Sequence, residues 1–422
     1  MSAAAIAVAT PRRISRRAIG LAAFYFGLAA ILVLVLGGGI EPGSETIFGL
    51  NLGSAPKVKL PDLVVPSTTM VYLMAAVCAF CGALQLTRAI GARWAILISL
   101  ALIAFIFGFL TWAAAGKSMS LVGIFQTTVY RAVPITFGAL SGVLCERSGV
   151  VNIAIEGMLL SGAFVAAVVA SATGSNWLGV IGAVIAGALL ATVLAVLSIR
   201  YRVNQIIAGT VINIFAVGLT SFLSTRVLQQ NQDLNTPPRF EPIVVPVLSD
   251  IPIVGPVFFS GNFFTYAVFA LIIVIHFALF YTRYGLRVRS VGEHPRAADT
   301  VGINVVFTRY RNVILGGMVA GLGGAYFTVG STGNFEREMT AGRGFIGLAA
   351  MIFGGWPPVG AFLAGLVFGF ADALQSRLSI LGSPVPSEFL LMVPYITTIV
   401  VVAGLIGRVR MPAADGTPYV KE

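Results

Sequence analysis

Long apolar runs broken by short polar stretches set the pattern of this chain. Runs of the length that crosses a bilayer, roughly 17–25 residues, fall at 18–40, 70–86, 94–115, 121–145, 150–172, 177–199, 205–227, 262–282, 311–330, 357–375 and 389–407. A shorter run, 344–356, closes on Gly354-Gly355-Trp356-Pro357-Pro358 and reads as a half-span or one arm of a broken pair. Counted as a crossing, it brings the total to about twelve transmembrane helices, three near the N-terminus and nine after them. The expected fold is all-α, a polytopic integral membrane protein. Residues 1–117 are expected to form an N-terminal extension with three spans, 118–410 the main helical core and 411–422 a short polar tail.

Polar positions inside these runs stand out, because an ionisable group there costs a few kcal/mol or more. Glu156 lies within 150–172, roughly 9 Å into a helix counted from Val150 at 1.5 Å per residue. Asn152 would sit one turn earlier on the same face. That face either borders a solute path or is a buried strut, with Arg147 or Arg131 as the expected partner. Span 205–227 carries Thr210, Asn213, Val217, Thr220 and Ser224 at steps of 3, 4, 3 and 4, so they share one face. Such a stripe lines a cavity or joins helices by hydrogen bonds. Small residues four apart (Gly316, Ala320, Gly324; Gly317, Gly321; Ala361, Gly365, Gly369) are expected at close helix contacts. His276 stands alone near the end of its span and reads as structural. Two sites look like broken helices, Glu146-Arg147-Ser148-Gly149 and Gly342-Arg343-Gly344, a device from which transporters build sites.

Charge gives an orientation. With the N-terminus inside and every run crossing, 18 of the 27 Lys and Arg residues fall in inside loops and 8 in outside loops, with Arg131 within a run. This bias supports cytoplasmic N- and C-termini. The N-terminal Arg-Arg-Ile-Ser-Arg-Arg precedes a long apolar run with no A-x-A cleavage site, and reads as a retained first span. Segment 228–261 holds six prolines and is expected outside; loop 283–310 is basic and expected inside.

Composition agrees. The chain is 57% hydrophobic and only 10% charged, with a mean hydropathy of +0.94; a water-soluble enzyme cannot be built from it. The net charge of +11 reflects basic inside loops, and no nucleic-acid partner is expected. Cys78 and Cys81 form a C-x-x-C spacing in an apolar run with no second pair, which reads as structural, as does Cys145. No G-x-x-x-x-G-K-[ST] phosphate loop, H-E-x-x-H or G-x-S-x-G occurs. No catalytic residue, metal site or cofactor is expected on this chain, and no loop has room for a soluble catalytic domain.

Two stretches carry a family resemblance. Cys145-Glu146-Arg147-Ser148-Gly149-Val150-Val151-Asn152-Ile153-Ala154-Ile155-Glu156-Gly157-Met158 resembles the signature of permease subunits from nucleoside ABC importers, in the superfamily of ribose-type and branched-chain amino acid permeases. Tyr284 to Asn304, with Gly292-Glu293-His294-Pro295-Arg296-Ala297-Ala298 and Gly302, resembles the cytoplasmic loop that docks on the ATPase in that superfamily. Gly342 to Gly360 is a weaker match. The likeness covers about 118–410; residues 1–117 have no counterpart in the shorter members. It implies a bacterial inner-membrane permease with ATP and Mg on a partner ATPase subunit, a second homologous permease and an extracytoplasmic substrate-binding protein, membrane-anchored as a lipoprotein or soluble. The residues independently give the docking loop a short helix: Pro295 suits a first turn, Ala297 and Ala298 are strong helix formers and Gly302 suits a stop. Candidate pathway residues are Asn152, Glu156, Thr210, Asn213 and Thr220. A simple-sugar permease is the nearest rival. An ion-coupled secondary transporter is a second, and predicts paired intramembrane carboxylates or a cation site. A membrane enzyme lacks a catalytic cluster.

Overall fold

The computed structural model of the chain describes residues 16–52, 59–87, 94–382 and 410–421, with 389 and 392. Among the described residues, ten helices are long and apolar enough to cross a membrane. They coincide with ten of the apolar runs; the run 389–407 lies outside the described residues except for those two positions. The chain is an all-α polytopic membrane protein. It also holds a small sheet that the hydrophobic pattern does not announce. Contacts divide the chain into two compact units, one reaching to Leu121 and the other starting at Val122, apart from two short exchanged stretches.

The first unit holds α1 (Arg16–Ala30, running on as looser helix to Gly39), β1 (Glu45–Gly49), β2 (Leu63–Pro66), α2 (Ser67–Leu86), α3 (Trp94–Ala113) and β3 (Ser118–Ser120). Its helices meet where glycine leaves room for a ring: a Cβ at Gly37 would lie 3.1 Å from Tyr72, and one at Gly82 3.1 Å from Phe26. The strand order is β2-β1-β3. β1 runs antiparallel to β2, with Glu45 opposite Pro66, and parallel to β3, with Ile47 opposite Ser118. Thr-Ile-Phe and Leu-Val-Val suit strands and are far too short to span. Buried Thr46 pins the sheet to the helices, its Oγ1 lying 2.8 Å from Ser67 Oγ and donating to the Thr111 carbonyl at 3.0 Å.

The second unit is built around α4 (Leu121–Glu146), which is buried over most of its length. Pro134 within it lacks an N–H for the Tyr130 carbonyl, and the Tyr326 hydroxyl donates to that carbonyl instead at 2.9 Å. Around it stand α5 (Ile155–Thr173), α6 (Asn176–Ala195), α7 (Gln205–Leu223), the short α8 (Val254–Phe258), α9 (Phe263–Tyr281), α10 (Arg283–Glu293), α11 (Pro295–Thr300), α12 (Val305–Phe327), α13 (Arg343–Phe353) and α14 (Pro358–Leu381). The small-residue rows make the close contacts. Gly317 and Gly321 of α12 face α6, where a Cβ on Gly187 would sit 2.1 Å from the Gly317 carbonyl. Gly324 faces α5 and Gly369 of α14 faces α4. In lipid such backbone approach substitutes for the hydrophobic drive of water.

Three boundaries differ from the apolar pattern. α5 begins at Ile155, five residues into its run. α12 begins at Val305, where the Asn304 side chain caps it by accepting from Phe307 N–H. Loop 283–310 is largely helical: α10 is an amphipathic helix whose Gly285, Val288, Val291 and Gly292 are buried. Its basic residues mask that apolar face in the sequence.

The α6–α12 seam gives a direct check. Gly187→Leu forces a side chain into the α12 backbone, and overpacking of this kind costs about 1–3 kcal/mol or more. Its thermal midpoint in detergent should fall by several degrees. Gly218→Leu, at a position with nothing within 4 Å, should leave the midpoint unchanged.

Candidate functional site

The site is built where two helices break. α4 ends at Glu146, and residues 147–154 leave the helix. Gly149 has φ +85°, a conformation that strains L side chains. The Asn152 side chain is fully buried, accepting from Ala154 N–H at 3.1 Å and donating to Ser141 Oγ at 3.4 Å. It therefore shapes the loop ahead of α5. The helical register expected between Asn152 and Glu156 does not exist, because the helix has not begun at Asn152. Glu156 lies in the first turn of α5, so a depth counted from Val150 does not apply.

The Glu156 carboxylate is wrapped by the start of α13. Its Oε1 accepts from Thr340 Oγ1 at 2.6 Å and from Gly342 N–H at 2.8 Å, and its Oε2 accepts from Gly344 N–H at 2.6 Å. Neither Arg147 nor Arg131 is the partner. Amide groups at a helix N-terminus have no intrahelical acceptor and carry partial positive charge; the carboxylate answers both. A Cβ on Gly344 would come within 2.6 Å of the Glu156 backbone, so only glycine fits. The other end of α13 is held from the same loop. Trp356, with φ +70°, donates Nε1–H to Glu146 Oε2 at 2.7 Å. Between these ends α13 lies against α4, where a Cβ on Gly347 would be 2.9 Å from the Ile135 carbonyl. Glu146 and Glu156, ten residues apart, thus clasp the two ends of an eleven-residue half-helix.

A second charge group borders this start. Arg343, the first residue of α13, lies 3.1 Å from Asp372 of α14, and Arg131 of α4 lies 3.6 Å from the same carboxylate oxygen. On α7, Asn213 bridges to the break: it accepts from Gly157 N–H and donates to the Ile153 carbonyl, both at 2.8 Å. Thr220 is buried and Thr210 exposed, and each hydroxyl bonds the carbonyl four residues back in its own helix. The structure therefore brings Asn152, Glu156 and Asn213 together at the start of α5, and leaves Thr210 and Thr220 apart from them.

Beyond the end of α7 lies a pocket of about 580 Å³ lined by Gln229, Gln232, Asn235, Asn334, Glu336 and Arg337 among others. Asn235 ties its two walls, bonding both the N–H and the carbonyl of Phe335. No sequence motif marks it. Its one signal is amides three apart on an irregular segment, at 229, 232 and 235.

Segment 283–304 is as structured as the clasp. The Thr282 side chain caps α10, accepting from Gly285 N–H. Gly292 packs so close to the loop after α4 that a Cβ would meet the Arg147 carbonyl at 2.3 Å. Pro295 opens α11 and Gly302 follows it with φ +82°. His294, Arg296 and Ala297 are exposed, but Ala298 is only 3% exposed and packs with Val291 and Val305. Ala298 therefore faces its own chain, and Arg296 and Ala297 form the exposed side of the helix. Glu293 accepts from Ala413 N–H at 3.2 Å, which brings in the tail. Burial pushes the Asp415 carboxyl up to about 6, against the lowering pull of a hydrogen bond from Glu146, the Gly416 N–H and the Arg309 charge.

A family profile described as branched-chain amino acid transport system / permease component matches residues 124–402. The chain is 41% identical over 311 residues to the guanosine ABC transporter permease protein NupQ of Bacillus subtilis, covering 71% of this chain and 96% of that protein. It is 40% identical over 303 residues to the nucleoside ABC transporter permease protein NupC of Lactococcus lactis, covering 69% and 94%. It is 36% identical over 255 residues to the putative glucose ABC transporter permease protein TsgC13 of Haloferax volcanii, covering 60% and 77%. No solved structure matches the chain.

The clasp and the tail each make a measurable demand. Glu156→Ala leaves two amides and a hydroxyl without an acceptor; bonds to a charged group contribute about 1.5–3 kcal/mol each. Amides 342–347 should lose protection from hydrogen exchange by at least tenfold, with Glu156→Gln intermediate. For Asp415 the folded pKa lies above its ordinary value. Its contribution to tail docking is thus complete below about pH 4 and lost as pH rises through about 6. Glu146 and Cys145 from the end of α4 and Arg309 from α12 face it. Protection factors in 412–417 should fall between about pH 4 and 6 and level off above, and Asp415→Asn should flatten that dependence.

Proposed function

The chain belongs to the family of branched-chain amino acid transport system permease components, and from that membership we propose that it is the membrane-spanning subunit of an ATP-driven import system for nucleosides. The observation that carries the substrate is the 41% identity to a guanosine permease over 96% of that protein's length. The clasped half-helix, with Asn152, Glu156 and Asn213 at its base, is the element that borders the translocation path and is shifted when the transporter changes state. The amide-lined pocket beyond α7 receives the solute. Paired donors and acceptors on Gln and Asn suit the edges of a purine and the hydroxyls of a ribose.

ATP hydrolysis lies with a separate ATPase subunit, with Mg at its own site, since the sequence of this chain holds no phosphate loop. That subunit docks on the exposed side of α11, and a helix seated in a groove transmits force because it is rigid. A second homologous permease completes the path, and a substrate-binding lipoprotein delivers solute at the opposite end. Both termini and α10–α11 face the cytoplasm of a bacterial inner membrane, following the basic-residue bias. A sugar permease is the second reading, favoured by the likeness to the putative glucose permease, but at lower identity and over a smaller share of that protein. Ion coupling has less support. Asp372 is engaged by two arginines and Glu156 by two amides and a hydroxyl, so each carboxylate already has its partners.

Reconstituted with its ATPase, second permease and binding protein, the chain should take up guanosine only with ATP. Other nucleosides should compete and excess ribose or glucose should not; competition by sugar alone would favour the second reading. Orientation is checked by thiol labelling, as the three native cysteines are buried. Asp233→Cys should react from outside and Ala297→Cys only after the membrane is opened. Equal labelling of both from outside would refute the assigned sidedness.

A further inference from the structure

Residues 410–421 fold back onto the base of the docking loop. The Ala414 N–H donates to the Gly292 carbonyl at 2.9 Å, and its own carbonyl lies 3.2 Å from where a Gly149 Cβ would be. One residue thereby touches both the end of α10 and the loop after α4. Arg309 of α12, almost wholly buried, donates to the Thr417 carbonyl at 2.9 Å. Tyr419 packs on the cluster of Val291, Ala298 and Val305 that seats α11. Lys421 lies 3.6 Å from Asp299, an exposed pair that contributes little. The tail thus meets α10, α11, α12 and the clasp loop at once.

A helix of six residues does not hold its shape alone. α11 is seated by side-chain burial, and part of that burial comes from Tyr419. A load applied to α11 reaches α13 only if α11 and the 147–152 loop move as one body. Gly292 against Arg147 is one point of contact, and a single point allows pivoting. The tail adds a second, at Ala414, and anchors it to α12.

We infer that residues 412–421 are a strap that locks the docking helix to the Glu146–Glu156 loop, so that displacement of α11 is passed to the half-helix. The strap rests on the reading that α11 docks an ATPase subunit, and its test separates the two. The full complex is purified with the unmodified chain, with Tyr419→Ala, with Tyr419→Phe and with the chain ended after Met411. Hydrogen exchange at 295–303, association of the ATPase subunit, ATP hydrolysis and nucleoside uptake are measured on each.

With Tyr419→Ala, exchange at 295–303 should accelerate at least tenfold. Uptake per ATP hydrolysed should fall at least tenfold while the ATPase subunit still co-purifies; Tyr419→Phe should restore both. The shortened chain should show the same uncoupling more strongly. Unchanged exchange and unchanged uptake per ATP in Tyr419→Ala overturn the strap, even if the shortened chain fails to accumulate. Faster exchange with unchanged uptake per ATP also overturns it, because the tail would then seat α11 without transmitting anything. If the unmodified chain holds no ATPase subunit, the docking reading itself falls.

Discussion

A backbone that leaves the helix inside a membrane must find partners for its amides within the protein, and Glu156 is where this chain meets that demand. With no water in a bilayer core, an unmatched amide costs several kcal/mol. A carboxylate in the same place costs roughly 3 kcal/mol on insertion scales. Neither would be tolerated alone. Together, Glu156 and the start of α13 form three bonds of 2.6–2.8 Å, each contributing about 1.5–3 kcal/mol when one partner is charged. The sum exceeds the cost of burying the acid, and the break becomes a stable feature.

Several features follow from that bond. Gly344 must lack a side chain because the Glu156 backbone occupies its place, and Gly342 must adopt φ +78° to aim its N–H at the carboxylate. Asn152 and Asn213 fix the loop and first turn from which Glu156 projects. At the far end Trp356 takes a left-handed conformation unusual for its type to reach Glu146. Such strain persists only where neighbouring contacts over-determine it. α13 is therefore held by its ends, through polar bonds, and packs against α4 on glycine. An element held this way shifts as a rigid piece when its anchors move.

How much of this was legible in the sequence depends on the range of the interaction. Ten spans, the glycine rows and the Pro295 helix start follow from local periodicity and propensity, and they stand in the structure. So does the suspicion of breaks at Glu146–Gly149 and Gly342–Gly344. What joins the two breaks was hidden: Thr340 and Gly344 lie 184 and 188 residues from Glu156, and their own residue types announce no acceptor. The reading of Glu156 as a strut named arginines, since charge is visible in sequence and a cluster of free amides is not. Nor could the burial of Ala298 be read, because propensity marks a helix and not its faces. The β-sheet near residue 45 was missed because its strands are too short to show a period, and the tail contacts because their partners lie more than a hundred residues away.

The two motifs that carry the family likeness turn out to be neighbours in space. The Gly292 backbone touches Arg147, Ala414 bridges Gly292 to Gly149, and Glu146 reaches Trp356 at the foot of the half-helix. A short chain of contacts thus leads from α11 through the loop after α4 to both ends of α13. Each link is a backbone approach or a buried hydrogen bond, and little of it can be absorbed by side-chain rotation. Where motion has to pass from the surface of a transporter subunit to its depth, stiff links of this kind lose the least on the way. The same requirement explains why the sequence places two carboxylates, two glycines and a buried asparagine within the fourteen residues from Cys145 to Met158: the segment joins α4 to α5 and grips α13 at once.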